Sequence, residues 1–173
     1  MSFFQKAVVI FAVLHITSPE ALAPTSANFL RKTPLVVEKI EKRINHEDVL
    51  WMAFNIYHEA RNQSRLGKIA VGVVTLNRKR EDENVHAVVT SPMQFSWYNQ
   101  HLKNKNVKVP KESPEWNECL EIAKFVLTLE SDHDIMVLFN GATHFHTTKV
   151  NPAWKKSMTK IVQIDDHIFY RKK

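Results

Sequence analysis

The chain has 173 residues, 44% of them hydrophobic, and carries 24 Lys and Arg against 18 Asp and Glu for a net charge of +6. That length suits one compact domain with a short appendage, and no run reaches the roughly 18 to 20 apolar residues that a membrane-spanning helix needs. A single cysteine, Cys119, excludes an intramolecular disulfide framework and any multi-cysteine zinc site, while the positive charge favours polyanionic surroundings such as nucleic acid, anionic lipid or an anionic cell envelope.

At the N-terminus Lys6 precedes an apolar run over residues 7–16, and small residues follow in "SPEALAPTSA". This is the order of an export signal, read here as residues 1–27 with Ala23 and Ala27 as cleavage sites, against the alternative of a buried N-terminal helix. Export makes the cell envelope the better of the polyanionic partners and argues against nucleic acid. Residues 28–47, with Pro34 and the charged "EKIEKR", read as a linker holding one short helix, and the domain proper is expected over 48–173.

"NHED" offers an N-cap with acidic residues in the first turn, and Val49, Ala53, Ile56 and Ala60 then recur at helical spacing. A second helix is predicted from Leu66, Ile69, Ala70, Val73 and Leu76, with Gly72 set for close packing against a neighbour. A third opens at "SPEW", with Ser113 as N-cap and Pro114 in first position, and buries Trp116, Leu120, Ala123 and Leu127. After Asp132 the period shortens. "IMVLF", "ATHFHT", "KIVQI" and "HIFY" read as strands, with a turn at Asp165 and Asp166, so a small antiparallel sheet is expected against a helical body.

Chemistry is suggested first by "NIYHEARNQ". A zinc protease helix needs His at both ends of a five-residue frame, but the frame that begins at His58 ends at Asn62. Glu59 lies off the apolar stripe near the end of a largely apolar helix. A carboxyl there is open to partial desolvation, which raises its pKa toward that of a glycosidase acid. His144 and His146 share a strand face, as two metal ligands would, and as a hydrogen-bonded pair would equally.

Four segments in order, "IYHEARNQSRLGKIAVGVVTLNR", "MQFSWY", "GATHFHTTKVNPAWKKSM" and "DDHIFYRK", resemble the SleB-type cell wall hydrolases over about residues 48–172. The resemblance implies an α+β domain, mainly helical and lysozyme- or transglycosylase-like, with a small antiparallel sheet in its C-terminal part. It also implies cleavage of the glycan strand of peptidoglycan, with the catalytic carboxylate at Glu59 and a cleft built in part from the "QFSW" segment. Family members often continue "EARGE"; here Asn62 and Gln63 follow, and an amide cannot ionise.

One carboxyl is enough for a lytic transglycosylase, whereas hydrolysis normally uses a second one, about 5 to 5.5 Å away for retention or 6.5 to 9.5 Å for inversion. Asp48 and Glu130 are the candidates for it. Trp97, Tyr98 and Trp154, in segments read as non-helical, are candidate sugar platforms; Gln94, Phe95, Ser96, Thr143 and His144 complete the expected cleft, and Trp51 and Trp116 are assigned to the core. No metal or cofactor is expected. The expected partner is peptidoglycan, met by an exported monomer. The rival readings are an N-acetylmuramoyl-L-alanine amidase and a non-enzymatic basic envelope-binding module.

Overall fold

The computed structural model describes residues 44–104, 109–129 and 138–173, which fall in one compact unit, Ile44–Lys173. The export segment 1–27, linker residues 28–43 and Glu130 lie outside the described residues. Residues 44–47, given above to the linker, belong to the unit: Asn45 caps its first helix.

That helix, α1 (His46–Ala60), is followed by α2 (Arg65–Arg78), α3 (Val85–Thr90), α4 (Ser96–Asn104) and α5 (Pro114–Leu129). A 3-10 turn at Leu138–Gly141 leads to β1 (His144–Thr147), a second at Ala153–Ser157 to β2 (Met158–Ile164), and β3 (His167–Lys172) closes an antiparallel sheet in the order β1-β3-β2. Among the described residues no helix is long and apolar enough to cross a membrane.

The helix starts are chemically specified. Side-chain oxygens of Asn45, Ser64, Asn84 and Ser113 accept from the backbone N–H groups of Glu47, Gly67, Ala87 and Trp116 at 2.9, 3.2, 2.8 and 3.2 Å. Each such cap contributes about 0.5 to 2 kcal/mol. The stripe predicted for α1 is buried in full: Val49, Ala53, Ile56 and Ala60.

Helix α2 is buried on two sides. Ile69, Val73 and Leu76 join the core shared with α1 and α5, while Ala70, Val71 and Val74 pack with Ala142, Ile164 and Phe169 of the sheet region. A Cβ on Gly72 would lie 3.0 Å from Val126 Cγ2 and 3.3 Å from Ile56 Cδ1, which is the close approach its position in the sequence suggests. Leu66, expected in the stripe, is 45% exposed because it precedes the turn at which α2 enters the core. Lys68, by contrast, is buried and satisfied by Glu118, its Nζ 2.5 Å from Oε2.

"VHAVVT" forms the short helix α3 despite its β-branched residues, because Asn84 caps it and Asp48 Oδ1 accepts from Val85 N at 2.8 Å. Two expectations are corrected. The segment around Trp97 and Tyr98 is helical, not irregular. The described end of "IMVLF" is no strand: Phe139 and Asn140 have φ of 59° and 48° inside the 3-10 turn. The remaining three strands and the Asp165–Asp166 turn lie where the sequence places them.

A buried polar network ties α1, α2 and α4 together. Asn55 Nδ2 donates to Thr75 Oγ1 and Trp97 Nε1 donates to Asn55 Oδ1, both at 2.8 Å, while Thr75 Oγ1 donates to Val71 O at 3.0 Å. An apolar residue at 55 would leave the indole N–H without a partner in a dry interior. Asn55→Leu should therefore cost about 2 to 4 kcal/mol in urea unfolding, more than its own hydrogen bonds are worth net.

Candidate active site

Glu59 sits in the last turn of α1 and is partly buried. Burial pushes its carboxyl up to about 7, and the nearby guanidinium of Arg78 pulls in the opposite direction without cancelling that effect. It is therefore a carboxyl that still holds its proton near neutral pH, as the sequence reading expected from its place at the end of an apolar helix.

Arg78 is the last residue of α2 and the organising side chain of the region. Its Nε donates to Thr143 O at 2.6 Å and its Nη1 to Gln94 O at 2.8 Å, and the guanidinium carbon lies 4.7 Å from the centre of the Phe95 ring. Burial lowers its pKa to about 10, so it remains a cation at neutral pH, and Glu59 opposes that shift. Neighbouring Asn77 adds a bond from Nδ2 to Ala142 O at 2.8 Å. Two adjacent α2 residues thus hold the segment before α4 and the approach to β1 against one end of the helix.

Thr143 and His144 are brought to this end of the molecule. Thr143 Oγ1 and His144 Nδ1 are 2.9 Å apart, and burial, then the charges of Arg78 and Lys172, lower the proton affinity of His144 so that it is neutral at pH 7. Trp154, in the second 3-10 turn, is half-buried with its ring against His144, His146 and Tyr170 at 5.4 to 5.6 Å. Gln94 is exposed and lines a hollow of about 280 Å³ with Arg78, Arg80, Glu83, Val88 and Ser91, and Ser96 is exposed at the start of α4.

The aromatic residues of "QFSWY" depart from the expected cleft. Trp97 is only 6% exposed, bonded to Asn55 and stacked on His58 at 4.4 Å, so it cannot offer a free face to a sugar. Phe95 is buried beneath Arg78. Tyr98 is partly buried, edge-on to Trp51 and Trp97. The physical reason is the helix: α4 turns Trp97 into the core and leaves Ser96 outside. Trp116 is core as expected, and Trp51 is partly buried at its margin.

His58 is a packing residue beside Glu59. Burial, His101 and Arg61 hold it near pKa 4, and its buried Nε2 has no hydrogen-bond partner among the described residues. His146 Nδ1–H donates to Thr147 O at 2.8 Å and its Nε2 accepts from Tyr170 Oη–H at 3.1 Å, so both ring nitrogens are engaged within the protein. Among the described residues no three His, Cys, Asp or Glu side chains converge on one point. Cys119 is buried and its thiol is pushed up to about 11. Asp48, a candidate second carboxylate, accepts from Val85 N at the start of α3.

The residue that sequence reading missed is Arg78, which the basic run "NRKR" hides among solvated charges. Its signal was position: it lies two residues past the last apolar residue of the α2 stripe, Leu76, where a cation can reach back over the core.

Raising the pKa of Glu59 from 4.5 to about 7 has a stability consequence. Below pH 4.5 the carboxyl is neutral in both folded and unfolded chains; between 4.5 and 7 only the unfolded chain ionises it, so stability falls as pH rises, and above 7 the loss is complete at about 3 kcal/mol. Glu59→Gln should therefore match wild type in stability near pH 4 and exceed it at pH 8, as read from urea unfolding at the two pH values.

Residues 62–170 match the family model described as Cell Wall Hydrolase. No curated protein matches the chain. Two solved structures share its fold at 21% identity: the catalytic domain of Bacillus cereus SleB (TM-score 0.53, 73% of this chain and 91% of that one) and that of the germination-specific lytic transglycosylase SleB from Bacillus anthracis (TM-score 0.56, 75% and 98%). The mainly helical domain with a small C-terminal sheet expected from the four motifs is thus the fold observed. The matched segment includes Arg78, Gln94, Thr143 and His144, and begins three residues after Glu59. By that match, the chain belongs to the cell wall hydrolase family.

Proposed function

We propose that this protein cleaves the glycan strand of peptidoglycan as a lytic transglycosylase, between N-acetylmuramic acid and N-acetylglucosamine, acting as an exported monomer at the cell envelope. The observation that carries the reading is Glu59, a partly buried carboxyl that keeps its proton to about pH 7 next to a fixed guanidinium. Family membership supports the polymer, and the germination-specific lytic transglycosylase of like fold supports the reaction type.

Glu59 acts first as acid. Its proton passes to the glycosidic oxygen as the bond from muramic C1 to that oxygen breaks, and the electron pair leaves with the N-acetylglucosamine O4, which becomes a hydroxyl. Glu59, now a carboxylate within the field of the Arg78 cation, stabilises the oxocarbenium-like centre at C1 and takes the proton of the muramic C6 hydroxyl while O6 closes on C1. The product is 1,6-anhydromuramic acid, the proton is back on Glu59, and no water is consumed. An internal hydroxyl has an effective concentration of about 10⁵ M or more when well oriented, which favours it over water.

Arg78 is a positioning residue in this scheme. It is anchored to two backbone carbonyls, so its charge stays in place whether Glu59 is protonated or not. It keeps the carboxyl from climbing further in pKa, which would make it too weak an acid. Gln63, an amide that cannot ionise, is occupied structurally: its Oε1 accepts from Asp166 N at 3.2 Å. Water activation from that position is therefore not part of the reaction.

Digestion of purified peptidoglycan should yield muropeptides with anhydro ends, one water lighter than hydrolytic ends. A spectrum of reducing muramic acid would replace transglycosylation by hydrolysis, and freed peptides would point to an amidase. Glu59→Gln should lower cleavage by about 10² to 10⁴ because the amide has no catalytic proton to donate.

The pH profile follows from the same group. Since the protonated form is the acid, kcat/KM should fall as pH rises through about 7. In Arg78→Gln the cation that lowers the pKa is gone, so this alkaline limb should move to higher pH even as kcat drops. A loss of rate with an unmoved limb would reduce Arg78 to a purely structural role.

A further inference from the structure

A second hollow, of about 260 Å³, lies at the C-terminal end of β3, lined by Asn140, Gly141, Thr143, Arg171 and Lys172. It is cationic and open to solvent: both Arg171 and Lys172 are exposed. Arg171 Nη1 donates to Asn140 Oδ1 at 2.9 Å, a neutral partner that orients the guanidinium without neutralising it. Asn140 owes its position to the left-handed backbone of the 3-10 turn, where it and Gly141 have φ of 48° and 68°.

The hollow is joined to the candidate active site through one residue. Thr143, in its wall, donates its N–H to Tyr170 O at 2.9 Å and accepts from Arg78 Nε through its carbonyl at 2.6 Å. Lys172 is near enough to His144 to lower its proton affinity. A polymer lying past Glu59 and Arg78 would therefore meet an oriented guanidinium and an ammonium group close by.

We infer that Arg171 and Lys172 form a subsite for a carboxylate on the peptide stem of the muramic acid residue, so that peptide-bearing strands are cleaved in preference to bare glycan. The inference rests on the glycan-cleaving function proposed above. The stem is attached through the lactyl group of the same sugar whose C1 bond breaks, and a free carboxylate on its second residue lies about 7 Å along an extended stem. A guanidinium and an ammonium residue lining one hollow match such a group in charge and, through the planar fork of the guanidinium, in shape. Phosphate of an anionic wall polymer is the other source of negative charge. A phosphodiester on the C6 oxygen of the reacting muramic residue, however, would remove the hydroxyl that must close on C1, whereas its peptide stem leaves that hydroxyl free, so the carboxylate is the anion that the reacting sugar itself can carry.

The test compares sacculi bearing peptide stems with the same strands stripped of peptide by an amidase, using wild-type protein and the Arg171→Gln, Lys172→Gln double variant. Anhydromuramic ends are counted by mass spectrometry, and thermal unfolding establishes that the variant is folded. Wild type should prefer peptide-bearing strands by about three- to tenfold in kcat/KM, a modest factor because the pair is exposed, and more so at low salt. In the variant the ratio between the two substrates should fall to about one. Equal cleavage of both substrates by wild type, or an unchanged ratio in the variant, would overturn the subsite while leaving glycan cleavage standing. Wild-type protein that cleaves neither substrate would overturn both.

Discussion

Arg78 is the side chain on which the site depends. The segment before α4 and the approach to β1 come from distant parts of the chain, and each presents a backbone carbonyl, Gln94 O and Thr143 O, to the same guanidinium. A planar cation with several fixed donors can satisfy both carbonyls and still act by its charge on a carboxyl; a lysine ammonium could not keep both bonds. Phe95 packs under the guanidinium and removes it from water. The charge is desolvated enough to act on Glu59, yet supported enough to remain a charge.

Helix α2 makes this possible because it is enclosed by the helical core on one side and the sheet on the other. Gly72 lets α5 and α1 approach it closely. The helix that carries Arg78 is thus among the most confined in the molecule. The Asn55, Thr75 and Trp97 bonds then fix α4 to α1 and α2 from inside, which accounts for an indole in "QFSW" that no substrate could reach. A residue in a motif can belong to it by holding the backbone of its neighbours in place.

The sheet is fastened to the helices by a polar latch just past the C-terminal end of α1. Asp165 Oδ2 accepts from Ser64 N at 2.8 Å, and Gln63 bonds to Asp166 N at 3.2 Å. An acid at 63 would face two aspartates there, so an amide is the residue that completes the latch without like-charge repulsion. What looked in the sequence like a missing catalytic group is a structural one. Glu59 remains a partly buried carboxyl, destabilising to the fold above neutral pH and suited to the proton transfer proposed for it for the same reason: it has lost part of its water.

Much of this was legible in the residues themselves. Caps at Asn45 and Ser113, the α1 stripe, the glycine in α2 and the short strands after Asp132 are local signals, set by hydrogen bonds and periodicities within a few residues. The raised pKa of Glu59 could also be anticipated, since a carboxyl near the end of an apolar helix is open to desolvation. Tertiary structure alone decided the rest. The helicity of "VHAVVT" depends in part on a carboxylate at position 48, and Trp97 is a core residue because Asn55 and His58 meet it. Arg78 becomes central only when chain segments tens of residues apart bring their carbonyls to it. Local chemistry is written along the chain, but which charge is solvated and which is held in place is decided by what folds back against it.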